Sequence, residues 1–350
     1  MNEIERYMQR AIQLGRNALG SAAPNPMVGC VIVCDGKIIG EGFTSPPGGP
    51  HAEVNAIASV ADKSLLKKAT LYVTLEPCSH FGKTPPCADL IVKHQIPKVM
   101  VGLTDPYPEV AGRGIQRLQD SGCTVQQGIL ETECREHHRR FLTFHEKKRP
   151  YLILKWAQSA DGFMAPAKEH RASRPEPFWI TAKASRQLVH KWRSEEAGIL
   201  AGTKTVLEDD PRLDVRLWHG KNPVRLVLDR KLHIPKEYHV TDGSTATIIL
   251  TEITDATRYL EQVDYEVVDF TDNLAHQIAK MGQAHNFLSI LIEGGAATLG
   301  TFIEADLWDE ARIFTGALPL GKGLEAPLIS GHQRRTAKIG QDTLTTIRHD

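Results

Sequence analysis

No stretch of this 350-residue chain is apolar for long enough to cross a bilayer. No excess of one charge sign marks a partner of nucleic acid or of a membrane surface, since Lys+Arg and Asp+Glu each total 42. Cysteine is scarce. Six in 350 residues cannot frame a disulfide-stapled fold, so any that matter are expected in metal or catalytic roles in a reducing compartment. The N-terminal Met-Asn-Glu-Ile-Glu-Arg is charged and amphipathic rather than signal-like, which makes the cytoplasm the expected location. The Gly-x-Gly-x-x-Gly of a Rossmann dinucleotide site is missing, as is a short Cys-x-x-Cys. What remains is a globular composition, 41% apolar and 24% charged, in a chain long enough for two domains.

The composition changes along the chain. All six cysteines (30, 34, 78, 87, 123 and 134) fall in the first 134 residues, and all five tryptophans (156, 179, 192, 218 and 308) follow residue 150. Between them the polar run Thr143-Phe-His-Glu-Lys-Lys-Arg-Pro150 is the best boundary, dividing the chain into domains 1–146 and 147–350.

In the first domain, Ile4, Tyr7, Met8, Ala11 and Ile12 stand at helical spacing within 2–19. Residues 28–34 and 37–43 read as strands joined by the two-residue turn Asp35-Gly36. Pro50 suits the first position of a helix over 52–60. The run 69–75 reads as a buried strand that ends at Glu76-Pro77, and a second helix starts near Cys87. Segments 98–103 and 124–128 continue as strands, with helices at 114–121 and 130–146. This alternation after residue 50 predicts an α/β fold with a mostly parallel sheet.

Chemistry concentrates at three points on this scaffold. His51 and Glu53 stand at a helix start, Cys78 follows a strand, and Cys87 occupies a first helical turn, where amide N–H groups favour a thiolate. His-x-Glu, Pro-Cys and a second Cys form the pattern of zinc deaminases: one imidazole and two thiolates hold one Zn²⁺ per chain, and the carboxylate of Glu53 moves protons. Cys30, Cys34, Cys123 and Cys134 read as core. Two other readings of the residues make different demands. A nucleic-acid or nucleoside deaminase calls for a basic, aromatic-lined surface. A structural zinc module calls for a fourth protein ligand such as His80.

The cysteine separation adds specificity. Pro24-Asn-Pro-Met-Val-Gly29, Pro50-His-Ala-Glu53, Thr74-Leu-Glu-Pro-Cys-Ser-His80, Gly82-Lys-Thr-Pro-Pro-Cys87, Asp105-Pro-Tyr-Pro and Val110-Ala-Gly-Arg-Gly114 resemble the bifunctional deaminase/reductase family of riboflavin biosynthesis (RibD type), in which a long Cys–Cys loop is normal. The resemblance implies a cytidine-deaminase-like α/β/α domain that removes an amino group from a diamino-phosphoribosylaminopyrimidinone. It also implies a substrate site formed by Asn25, His80, Lys83, Thr84, Asp105 and Arg113.

In the second domain Tyr151-Leu-Ile-Leu-Lys-Trp-Ala157 is a strongly apolar strand, and 165–177 reads as a polar loop. A helix over 183–193 is expected to take Thr181 as its cap. Strands are expected at 198–202, 224–229, 247–251 and 288–293, with a turn or short helix at 203–211. Glu293-Gly-Gly-Ala-Ala-Thr-Leu-Gly300 is a strand, a glycine turn and a helix start, a place where phosphate can approach backbone N–H groups. The motifs Lys155-x-Ala-x-Ser-x-Asp-Gly162, Trp179-Ile-Thr181, Thr205-Val-Leu-Glu-Asp-Asp-Pro-Arg-Leu213 with Arg216, and Ile292-Glu-Gly-Gly-Ala296 resemble the reductase half of the same family.

That half implies a dihydrofolate-reductase-like α/β fold and NADPH-dependent reduction of a phosphoribosylaminouracil. Gln158, Trp179, Thr205, Asp209, Gly295, Ala296, Ala297, Thr298, Leu299, Gly300 and Thr301 then fall on the cofactor side. Arg193, Leu213, Arg216 and Glu293 fall on the substrate side. One departure stands out: Pro177 occupies the place of a family serine two before Trp179, and Ser173 is the possible substitute. The expected partners are small phosphoribosyl-pyrimidines, without nucleic acid or membrane, and the resemblance implies a homo-oligomer (dimer or tetramer).

Overall fold

The two strands of the N-terminal hairpin need a turn whose central residues both accept positive φ, and Asp35 (φ 49°) with Gly36 (φ 72°) supplies it. In the structure, a computed structural model, residues 2–79, 85–106, 111–171 and 174–349 are described. The chain divides into two compact units, 1–148 and 149–350.

The first unit runs α1 (Glu3–Gly15), β1 (Gly29–Cys34), β2 (Lys37–Phe43), α2 (Ala52–Ser59), β3 (Thr70–Val73), α3 (Cys87–Lys93), β4 (Lys98–Val101), α4 (Arg113–Asp120), β5 (Thr124–Gln126) and α5 (Glu131–Glu146). Its sheet has the order β2-β1-β3-β4-β5. The hairpin is antiparallel to β3, while β3, β4 and β5 are parallel. Every residue of β1 is buried, because α1 and α2 both pack on it. Asn2 caps α1 reciprocally with Glu5. The helix ends at Gly15 and continues only as a 3-10 turn, short of residue 19. Pro50 is not the first helical residue: His51 is the N-cap of α2, with extended backbone, so Pro50 precedes the cap.

A buried carboxylate ties this unit together beside the end of β3. Glu76 is 4% exposed. Its Oε2 accepts the backbone N–H groups of Asp105 (3.1 Å) and Gly112 (2.9 Å), and its Oε1 those of Gly114 (2.8 Å) and Ile115 (3.2 Å). The start of α4 can come this close only because residue 114 is glycine: a Cβ there would lie 1.9 Å from the carbonyl oxygen of Pro77.

The second unit comprises β6 (Tyr151–Gln158), β7 (Phe163–Pro166), α6 (Lys183–Glu195), β8 (Gly198–Ala201), α7 (Thr203–Asp209), β9 (Val224–Leu228), β10 (Thr247–Thr251), β11 (Asp264–Val267), α8 (Leu274–Ala284), β12 (Ser289–Ile292), α9 (Ala296–Glu304) and β13 (Glu310–Thr315). It closes with β14 (Gly323–Glu325), β15 (Gln333–Ile339) and β16 (Asp342–Arg348). The large sheet has the order β11-β10-β9-β8-β12-β6-β13-β16-β15. It is parallel from β11 to β13, and β16 and β15 add antiparallel. Strand β6 shows why its sequence is apolar at successive positions, broken only by Lys155: Tyr151 and Ile153 enter one core, Leu152, Leu154 and Trp156 the other.

Two expectations are corrected here. Residues 165–177 are not all loop, for β7 pairs with β14 and a 3-10 turn follows at Lys168–His170. Nor does Thr181 cap α6. Ala182 is the N-cap, and the capping oxygen comes from buried Asp342, which accepts the N–H of Ala182 (2.8 Å) and the hydroxyl of Ser185 (2.5 Å). Local sequence could not show a cap supplied from 160 residues away.

Glu76→Gln replaces one acceptor oxygen by a donor facing N–H groups, so the first unit should lose about 2–4 kcal/mol. Urea unfolding followed by a probe confined to residues 1–148 would measure this, and a change below about 0.5 kcal/mol would contradict the role given to Glu76.

Candidate active sites

In the first unit, three different devices deliver donors to one point. His51 is placed by the extended N-cap of α2, Cys87 by the first position of α3, and Cys78 by the segment after β3. His51 Nδ1 lies 3.6 Å from Cys78 Sγ and 3.5 Å from Cys87 Sγ, and the Cys87 backbone N–H donates to Cys78 Sγ at 3.3 Å. All three ligand atoms lie within 4.8 Å of one another. Metal–ligand lengths of about 2.0 Å to nitrogen and 2.3 Å to sulfur, at a tetrahedral angle, imply an N···S separation of about 3.5 Å. The donor set fits zinc in both chemistry and spacing.

Charge in this cluster is uneven. The hydrogen bond from Cys87 holds the Cys78 thiol well below the usual thiol range despite burial, and His51 adds to the effect. Cys87 is raised in turn, by donating to Cys78 and by burial. Of the two thiols, Cys78 is the one that favours the thiolate. Its hydrogen bond also raises His51, against the effect of burial. Glu53 is 4% exposed and is not one of the three clustered donors. Burial, and then the charge on Cys78, push its carboxyl up to about 7, and it hydrogen-bonds with Cys87. It can hold a proton or release one near neutrality.

The substrate-side residues of this unit are placed unevenly. Asn25 is half-buried in the turn before β1, its N–H bonded to Ala22. Glu76 binds the backbone of Asp105, which is half-buried, and Arg113 opens α4, exposed. His80, Lys83, Thr84 and Ser173 lie outside the described residues. Glu76 itself was visible in sequence only as the residue that ends a strand. Its place two before Cys78 was the available signal.

In the second unit a cleft of about 430 Å³ opens at the C-terminal ends of the parallel strands, where open α/β sheets bind ligands. Trp179, Arg193, Thr205, Asp209, Leu213, Arg216, Glu293 and Gly295 line it. Gln158 does not: its Oε1 accepts the indole N–H of Trp156 at 2.9 Å. Ala296 to Thr301 form the first turns of α9 behind Gly295, and the Leu299 side chain is fully buried in the core. The glycine turn fits a phosphate-bearing cofactor in one respect, because it leaves backbone unobstructed at a helix N-terminus. Close packing also demands it. A Cβ at Gly294 would lie 2.6 Å from Thr298 Cβ, and one at Gly295 2.9 Å from Thr205 Oγ1.

The strongest polar group in this cleft is Glu293, whose side chain is 7% exposed. Arg193 grips it with a two-pronged contact (Nε–Oε1 2.9 Å, Nη2–Oε2 2.8 Å), and Lys155 adds a third at 3.4 Å. Burial alone would raise this carboxyl, but Arg193 and Lys155 outweigh it and hold it at about 2. Asp209 behaves oppositely, because burial and neighbouring Glu208 push it up to about 6 against Arg171. Lys155, Arg171, Arg186 and His190 also line the cleft. Sequence reasoning had not assigned them a role, although His190 stands three residues before Arg193 on α6.

Comparison with known proteins follows the same division. Residues 1–103 match the cytidine and deoxycytidylate deaminase zinc-binding region, and residues 150–350 match the RibD C-terminal domain. The riboflavin biosynthesis protein RibD of Aquifex aeolicus is 38% identical over 93% of this chain and 90% of its own. The Escherichia coli protein of the same name is 33% identical over 99% and 96%. A crystal structure of a diaminohydroxyphosphoribosylaminopyrimidine deaminase/5-amino-6-(5-phosphoribosylamino)uracil reductase from Thermotoga maritima superposes with a TM-score of 0.88 at 36% identity, covering 99% of each chain. The first unit thus has the cytidine-deaminase-like fold and the second the RibD reductase fold, which is like dihydrofolate reductase. With both halves matched in order over nearly its whole length, this chain belongs to the RibD family of bifunctional riboflavin biosynthesis proteins.

Proposed function

We propose that the first unit deaminates 2,5-diamino-6-(5-phosphoribosylamino)pyrimidin-4(3H)-one and that the second reduces the resulting 5-amino-6-(5-phosphoribosylamino)uracil with NADPH. The observation that carries the first step is the cluster of His51, Cys78 and Cys87 within 4.8 Å, beside a buried carboxyl held near neutrality. His51, Cys78 and Cys87 hold the zinc, which when bound supplies the Lewis acidity that makes water nucleophilic at neutral pH. Glu53 takes a proton from the attacking water. It delivers that proton to the ring nitrogen, then carries a second one from the newly added hydroxyl to the departing amine, so that water and an amino group are exchanged for a carbonyl and ammonia. Asn25, His80, Lys83, Thr84, Asp105 and Arg113 are assigned to substrate binding.

The second unit would bind NADPH as the hydride source for C1′ of the sugar; the C1′–O4′ bond of the furanose ring opens, a proton goes to O4′, and ribosylamino becomes ribitylamino. Trp179, Thr205, Asp209 and the turn beginning at Gly295 take the cofactor, with Ala296 to Thr301 offering the backbone at the start of α9, while Gln158, whose side chain is bonded to Trp156, stays outside this set. Arg193, Leu213, Arg216 and Glu293 form the substrate side, with the two arginines toward the phosphate. Glu293 holds Arg193 and Lys155 in place, which supports this side of the cleft. The equal totals of acidic and basic residues favour small phosphorylated substrates over nucleic acid. No helix of the described residues is long and apolar enough to cross a membrane. We read the enzyme as cytoplasmic and homo-oligomeric, a dimer or tetramer, with residues 1–146 and 147–350 as its two catalytic domains.

Glu53→Gln should lower ammonia release by at least about a thousandfold while zinc content and NADPH oxidation on pre-deaminated substrate persist. A mutant that still deaminates near the wild-type rate would remove Glu53 from this role. Chelation should reproduce the same split between the two assays, and ammonia release that survives complete loss of zinc would refute the metal assignment. Glu293→Gln leaves two buried cations without their counter-charge, which costs about 3–5 kcal/mol in comparable pairs. The expected result is loss of NADPH oxidation with ammonia release retained, measured on one preparation.

A further inference from the structure

Helix α6 brings a second side chain to the cleft wall besides Arg193. His190 lies one turn earlier, at a spacing that puts both on one face, and it is 3% exposed. Its Nδ1 is 3.2 Å from the backbone nitrogen of Arg216, which donates to it. A ring nitrogen that accepts carries no proton, so the neutral ring keeps its hydrogen on Nε2.

The segment this bond reaches is held at each of three successive residues. Arg193 Nη1 donates to the Asp214 carbonyl at 3.1 Å, the Val215 N–H donates to Asn222 Oδ1 at 2.8 Å, and His190 takes Arg216. Two of the three bonds come from α6. Leu213, immediately before, has φ 51°, a conformation that a leucine adopts only when its surroundings impose it. The path of 213–216 is thus dictated from outside the segment. The charged groups facing the ring are Arg193, Arg216, Glu293 and Asp214. Burial, then Arg193 and Arg216, push the imidazole down to about 4 against the two carboxylates, so the lone pair on Nδ1 stays available throughout the neutral range.

We propose that His190 is a positioning residue of the reductase site: its Nδ1 lone pair anchors the backbone of Arg216, so that Arg216 and Arg193 meet the substrate phosphate as a pair. This rests on the reading above that the two arginines hold that phosphate. Guanidinium groups grip phosphate by geometry as well as charge. A segment that drifts therefore loses affinity even though every cation remains.

The test uses the full-length chain with pre-deaminated substrate and NADPH, comparing His190→Gln, His190→Asn and Arg216→Ala. Asparagine can place its Oδ1 near the position of Nδ1, whereas glutamine carries its amide toward the position of Nε2. His190→Gln should raise KM by at least about tenfold, with kcat within about threefold and NADPH affinity within about twofold of wild type. His190→Asn should recover most of the loss, and His190→Gln should add little to Arg216→Ala. An unchanged KM in Arg216→Ala would overturn the phosphate reading and, with it, the proposal. A raised KM there, together with an unaffected His190→Gln, would overturn the positioning role alone. Parallel loss of substrate and NADPH affinity that asparagine does not relieve would also overturn it, by making His190 a general support of the fold. Should His190→Gln not fold, the ¹⁵N shifts of the wild-type ring decide: the Nε2–H tautomer supports the proposal, and the Nδ1–H tautomer overturns it.

Discussion

Burying a carboxylate is costly unless hydrogen bonds or cations replace the water it loses, and both units use that requirement to hold loops where chemistry is done. Glu76 gathers four backbone N–H groups and so fastens the residues around 105 and 112–115 to the end of β3. Glu293 gathers Arg193 and Lys155 at the end of β12. Asp342 takes the start of α6. In each case the acid is sequestered, its partners come from distant sequence, and the attachment cannot loosen without exposing unpaired polar groups to an apolar surrounding.

Glu53 is the exception, and the contrast separates structural from chemical carboxylates. It is as buried as Glu76, but it sits beside the charged Cys78, so burial and like charge act together and its carboxyl rises to about 7. A group poised near neutrality can exchange a proton. One held at about 2, like Glu293, serves as a fixed anion.

Much of this was legible in the chain. The zinc donors could be placed because each stood at a strand end or helix start, and the structure brings His51, Cys78 and Cys87 together as that placement required. The strands around Val224, Thr247 and Leu288 were readable as apolar runs, since they are covered on both faces. The antiparallel strands β15 and β16 were not, because polar residues dominate both and every residue of β15 is at least partly exposed. The cap on α6 was misread because the capping oxygen is remote in sequence. In the glycine turn, Leu299 was grouped with ligand-facing residues, whereas its side chain packs in the core. A run of small residues signals close approach without saying whether a ligand or another backbone is approaching.

The shared use of Glu293 bears on how this site can diverge. Lys155 belongs to β6, Arg193 to α6, and their common acceptor follows β12. Glu293 cannot be exchanged alone without stranding two cations in the interior, whereas loss of either cation still leaves the carboxylate one partner, so substitutions here are coupled and unequal rather than additive. The acid is the fixed member of the triad. Drift at this corner of the cleft can begin at Lys155 or Arg193, and Glu293 can follow only together with the cation that remains.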